Sequence, residues 1–145
     1  MNALQNAINK AHSGDIIKVA EGDYFESVSI DGKSLIIQGS KLPTVMGFDI
    51  NGGSTTIKGF HIIKDGIYLE NGCVRIMNNV FDNSQYGLYV TGNAFNNVKG
   101  CPKVSKNTFT GCETAIFIGV SKNPGRFLSF NHNKFENCGV NITES

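Results

Sequence analysis

Three segments decide how this chain folds: Arg75-Ile76-Met77-Asn78-Asn79-Val80-Phe81, Lys103-Val104-Ser105-Lys106-Asn107-Thr108-Phe109 and Ser129-Phe130-Asn131-His132-Asn133-Lys134-Phe135. They align without a gap. Each carries an apolar residue, an Asn three positions later and a Phe two positions after that. An earlier segment, Thr56-Ile57-Lys58-Gly59-Phe60-His61-Ile62, keeps the pattern with Phe60 in place of the Asn and Ile62 in place of the Phe. A second short apolar stretch follows each one: Gly66–Leu69, Gly87–Val90, Ala115–Ile118 and Gly139–Ile142. Two further repeats fit more loosely, through Val28-Ser29-Ile30 with Leu35-Ile36-Ile37, and through Phe48-Asp49-Ile50.

The spacing fixes the architecture. Ile30 to Ile50 is 20 residues, Ile50 to Leu69 is 19 and Leu69 to Val90 is 21. A repeat of that length is too long for a hairpin meander, and no helical stretch separates the strands. What remains is a solenoid whose coils pair in parallel, about 4.8 Å apart, and bury their apolar faces only by stacking. The expected fold is all-β: a right-handed single-stranded parallel β-helix of about six coils with an N-terminal α-helical cap. Ile62, Phe81, Phe109 and Phe135 are expected in one inward column, and Ile67, Leu88, Ile116 and Val140 in another. Asn79, Asn107 and Asn133 fall at one turn position, where Asn tolerates left-handed backbone and its amide bonds along a stack.

At the N-terminus, Asn2 is placed to cap a helix with Gln5 three residues on. Leu4, Ala7, Ile8 and Ala11 share a face, and Gly14 ends the pattern. A cap over residues 2–13 would cover the open strand edges of the first coil. Coils then run over residues 16–143, and the 145 residues form one domain. Gly is abundant, at 17 residues, as tight turns require. A formal net charge of +1 gives no field for nucleic acid or an anionic membrane. No run of about 18 apolar residues spans a bilayer. Residues 1–15 lack the apolar core of a signal peptide. The chain is therefore cytoplasmic, or secreted or surface-held if a signal has been removed.

The opening Ala3-Leu4-Gln5-Asn6-Ala7-Ile8-Asn9-Lys10-Ala11, then Gly14-Asp15-Ile16-Ile17-Lys18-Val19, then Gly22-Asp23-Tyr24-Phe25-Glu26, resembles the start of pectin-lyase-like β-helix proteins, pectin methylesterases in particular. The later Asn-x-Phe coils resemble the repeats of carbohydrate-binding and sugar-hydrolase members of that superfamily. The resemblance implies the parallel β-helix and a polysaccharide ligand, but its motifs belong to the fold and carry no chemistry. The esterases need paired Asp with Gln and Arg, the glycosidases a Gly-His-Gly segment, and the lyases Ca²⁺-binding Asp clusters. None of these patterns is found here, so no catalytic residue is assigned.

The outward positions of the second strand form a lane: Ser29, Asp49, Tyr68, Tyr89, Phe117 and Asn141. Consecutive aromatics one strand apart make a flat strip suited to the C–H faces of sugar rings. Subunit contact or plain stabilisation of the ladder are the competing readings. Two insertions, Thr91–Gly100 and Gly119–Arg126, leave one corner beside the lane, and Asn97, Lys99, Lys122 and Arg126 would add polar contacts. The expected ligand site is thus Asp49, Tyr68, Tyr89, Phe117, Asn141, Asn97, Lys99, Lys122 and Arg126. Asp49 is its only acid in sequence, and glycoside hydrolysis needs a second carboxylate about 5–10 Å away.

Cys73 with Cys101, and Cys112 with Cys138, are each one coil apart, an arrangement that favours stacked free thiols over disulfides. None has zinc-like spacing, and His12, His61 and His132 do not converge, so neither a metal nor a cofactor is expected. Asn141-Ile142-Thr143 is a glycosylation sequon in a eukaryotic secretory route. The function expected is a non-catalytic carbohydrate-binding or surface-recognition module. The alternatives are a structural module that self-associates through its aromatic face or last coil, and a diverged polysaccharide-active enzyme.

Overall fold

A computed structural model describes residues 2–91, 103–119 and 129–144. It is mostly β. After helix α1 (Ala3–Lys10) come β1 (Ile16–Val19), β2 (Asp23–Asp31), β3 (Ile36–Gly39), β4 (Thr44–Asn51), β5 (Thr56–Lys58), β6 (His61–Asn71), β7 (Arg75–Met77), β8 (Val80–Asp82) and β9 (Tyr86–Val90). Then follow β10 (Lys103–Ser105), β11 (Thr108–Thr110), β12 (Thr114–Ile118), β13 (Ser129–Asn131), β14 (Lys134–Glu136) and β15 (Val140–Glu144).

Among the described residues, all the strand pairs are parallel. One sheet has six strands in the order β1-β3-β5-β7-β10-β13. In the other, the long strands β2, β4 and β6 lie side by side, and β6 then forks. Its first arm, His61–Ile63, pairs with β8, which leads on to β11 and β14. Its second arm, Ile67–Leu69, pairs with β9, which leads on to β12 and β15. The fork sits at a corner that only glycine permits. Gly66 has φ +69°, and a Cβ there would lie 2.3 Å from the Tyr86 carbonyl oxygen.

The core is built from apolar columns, one of which has its expected membership throughout. Ile37, Ile57, Ile76 and Val104 are in register and fully buried. Ile62, Phe81, Phe109 and Phe135 form the next column. The Phe81 and Phe109 rings stack at 4.5 Å and 6°. The second predicted column ends differently: Ile142, not Val140, lies opposite Ile116. From Phe81 to Leu88, and from Phe109 to Ile116, the chain spends seven residues on the corner, and it does so again from Phe135 to Ile142. Aligning Gly139–Ile142 with Gly87–Val90 by residue type leaves only five residues from Phe135 to Val140.

At the other corner, Asn78, Lys106 and His132 all take φ 58°, and the Asn that follows each turns its amide into the stack. Asn79 Oδ1 accepts the Phe60 N–H (3.0 Å) and its Nδ2 donates to the Ile57 carbonyl (3.1 Å). Asn107 does the same for the Asn79 N–H and the Ile76 carbonyl, and Asn133 for the Asn107 N–H and the Val104 carbonyl. Each amide thus satisfies a donor and an acceptor that the bend takes out of the ladder.

Helix α1 is shorter than expected and capped by other residues. It spans Ala3–Lys10, and Asn2 makes no side-chain cap bond. The Glu26 carboxylate instead accepts the Leu4 and Gln5 N–H groups (3.1 and 3.0 Å). At the far end, Lys33 Nζ donates to the Ile8 and Asn9 carbonyls (2.7 and 3.0 Å). The charges match the two ends of the helix dipole. Gln5 is used elsewhere: its amide pairs with both backbone groups of Ser29, at 2.7 and 2.9 Å, on the open edge of β2. Leu4 and Ile8 are buried, whereas Ala7 is exposed.

The cysteines divide. Cys112 and Cys138 are free, as expected, with Cys112 buried and its thiol pushed up chiefly by that burial. Cys73 is disulfide-bonded, against expectation, and Cys101 lies outside the described residues. Among the described residues, no helix is long and apolar enough to cross a membrane.

Replacing Asn107 by Ala strands the Asn79 N–H and the Ile76 carbonyl, each at about 1–3 kcal/mol. Urea denaturation is expected to show a loss of about 2–6 kcal/mol. Asn133→Ala, at a less buried rung, is expected to cost less.

Candidate functional site: an aromatic lane

The second arm of the forked sheet aligns one outward residue per strand. Ser29 lies opposite Asp49, Asp49 opposite Tyr68, Tyr68 opposite Tyr89, and Tyr89 opposite Phe117. The rings follow the strand spacing. Tyr68 and Tyr89 are 5.2 Å apart, tilted by 31°, and Tyr89 and Phe117 stack at 4.8 Å and 22°. Their inward neighbours Ile67, Leu69, Leu88, Val90, Ile116 and Ile118 are buried, which pins the backbone beneath the strip. Tyr68 is 39% exposed, while Tyr89 and Phe117 are half-buried.

Asn141 does not belong to this lane. Thr143 is the residue opposite Phe117, and Asn141 precedes Ile142 on a strand whose register is shifted by two from the expected one. The seven-residue corner before β15 is the cause. Of the remaining predicted ligand residues, Asn97, Lys99, Lys122 and Arg126 lie outside the described residues, as do nearly all of both insertions.

One aromatic was missed. Tyr86 sets its ring edge-on against Tyr89 (5.4 Å, 86°) and Phe117 (5.3 Å, 66°). Strict alternation puts Tyr86 on the Leu88 side of the strand. As the first residue of β9 it lies where the chain rounds the corner, and alternation does not hold there. Each such ring pair contributes about 0.5–1.5 kcal/mol beyond burial. Tyr86 therefore buttresses the strip from the side.

The lane is acidic at one end. Asp49 has its carboxyl raised above the ordinary value by partial burial first, then by the charges of Glu70 and Asp31. A register shift puts Glu70 there: Ile50 pairs with Leu69 but Asn51 pairs with Asn71, so Glu70 bulges from the ladder. Asp49 is thus not the lone acid that the linear pattern suggested. The Tyr68 hydroxyl is also raised, by burial, Glu70, Tyr89 and Asp49 in that order, and stays protonated at neutral pH.

On the other arm of β6, His61 contacts Thr44 and Asp82. Among the described residues, no group of three His, Cys, Asp or Glu side chains is placed to hold a metal ion. No protein-family model matches the chain, and no curated protein or solved structure matches it.

A carboxyl raised in the folded state lowers stability above that raised value, and the effect vanishes below the unfolded value near 3.8. Asp49→Asn is therefore expected to stabilise the protein at pH 7. The gain should shrink as pH falls through the raised value and disappear below about 3.8. Denaturant melts of both proteins at pH 7 and pH 3 measure it.

Proposed function

We propose that the chain is a right-handed parallel β-helix of about six coils that binds carbohydrate on its aromatic lane without chemically altering it. The carrying observation is the ring file of Tyr68, Tyr89 and Phe117, with Tyr86 against its flank. The faces of Tyr89 lie against Tyr68 and Phe117, so the file offers a sugar a row of ring edges at strand spacing, with Tyr68 its most exposed ring. The Tyr68 hydroxyl and the Asp49 carboxylate supply hydrogen-bonding groups at one end. Buried inward neighbours hold the strip in shape, so little ordering entropy is lost on binding. The pectin-lyase-like resemblance supports the same reading. Its segments Gly14–Val19 and Gly22–Glu26 supply β1 and the start of β2.

Calorimetric titration with neutral oligosaccharides, preceded by a glycan-array screen, tests it. Micromolar to millimolar binding is expected, weakened about tenfold or more by Tyr89→Ala, a change of about 1.4 kcal/mol. No binding by any glycan would sink the reading, as would a Tyr89→Ala protein that loses stability but keeps its affinity.

One observation favours a second reading, a polysaccharide-active enzyme. Asp49 has neighbouring carboxylates in Glu70 and Asp31, and a carboxyl raised by its surroundings suits a general acid. In that case the protein releases reducing ends from a bound polysaccharide, and both Asp49→Asn and Glu70→Gln abolish the release. Binding with no release across a polysaccharide panel leaves the first reading alone.

A further inference from the structure

Thr44, His61 and Asp82 come from β4, β6 and β8, which are neighbouring strands. His61 Nε2 lies 3.0 Å from Asp82 Oδ2, and His61 Nδ1 lies 3.3 Å from Thr44 Oγ1. The other Asp82 oxygen accepts Asn83 Nδ2 at 2.7 Å, so the carboxylate is held from both sides. A carboxylate only accepts, so neutral His61 carries its proton on Nε2. Nδ1 then offers a lone pair to the Thr44 hydroxyl. The His61 and Asp82 side chains are 33% and 31% exposed, open to a small reagent yet packed on the sheet.

We propose that Thr44 is a nucleophile activated by His61, with Asp82 as positioning residue, and that this face accepts acyl groups from activated esters. The arrangement is a hydroxyl–imidazole–carboxylate relay, recognised by geometry and not by chain order. Thr44 Oγ bonds to the ester carbonyl carbon as its proton passes to His61 Nδ1. The bond to the leaving alkoxide or phenolate breaks, and the leaving group takes that proton. Water then attacks the acyl-Thr44 ester, again with His61 as base. A carboxylic acid leaves and the Thr44 hydroxyl is restored. Asp82 stabilises the imidazolium while the proton is held there. This face is separate from the aromatic lane, and the proposal does not depend on carbohydrate binding.

Two reagents test it: p-nitrophenyl acetate for turnover, and an alkyl fluorophosphonate that transfers its phosphonyl group to a nucleophilic oxygen with loss of fluoride. Peptide mass spectrometry is expected to place the phosphonyl group on Thr44. Thr44→Val should abolish the labelling and Thr44→Ser should keep it. His61→Gln should slow it about 100-fold or more, the scale of general-base assistance. Asp82→Asn, which keeps the side-chain shape, should also slow it. If Thr44 carries no label, or if labelling proceeds equally fast in folded His61→Gln and Asp82→Asn proteins, the three residues only tie neighbouring strands together and the proposal is overturned.

Discussion

Each bend in this chain takes backbone groups out of the strand ladders, and the structure rests on how those groups are satisfied. The amides of Asn79, Asn107 and Asn133 provide the answer at one corner. Each replaces a missing strand partner for one N–H and one carbonyl, and each hands the register on to the next rung. An unpaired buried amide is costly enough that the corner is tolerable only with such a partner. Because the amides repeat at one position, the apolar residues between them repeat too. The stacked rings of Phe81, Phe109 and Phe135 follow from that register.

The same constraint sets the surface. In a strand held by buried residues on both sides of each outward position, the outward side chains have no choice of direction. The Tyr68, Tyr89 and Phe117 rings face one way because Ile67, Leu88, Ile116 and their partners face the other. The fork at Gly66 separates the aromatic lane from the face that carries Thr44, His61 and Asp82. One β6 strand thus contributes Tyr68 to one surface and His61 to another. Two chemically different faces arise from a single repeated architecture.

The open edge of β2 is closed by the same logic of satisfied backbone groups. Gln5 stands in for a strand by bonding both backbone groups of Ser29, and Glu26 and Lys33 hold the two ends of α1. The local sequence offered Asn2 as cap with Gln5 as its partner, a pairing that local rules favour. Tertiary contact won because Glu26 brings a full charge to the helix terminus while Gln5 has an unpaired strand edge within reach.

The sequence by itself determined the period, the parallel stacking, the inward columns and the lane from Asp49 to Phe117. These follow from side-chain alternation and a repeat near 20 residues, both written locally in the chain. It misplaced Val140 and Asn141, because Gly139–Ile142 matches Gly87–Val90 in residue type while the chain comes into register two residues later. Only the tertiary structure decided what meets across rungs. Tyr86 against Phe117, Glu70 and Asp31 beside Asp49, and His61 on Asp82 are all diagonal or corner contacts. Their partners lie on different strands, and bulges and corners set their offsets. No fixed spacing in the linear sequence encodes them, since each depends on where the backbone bends.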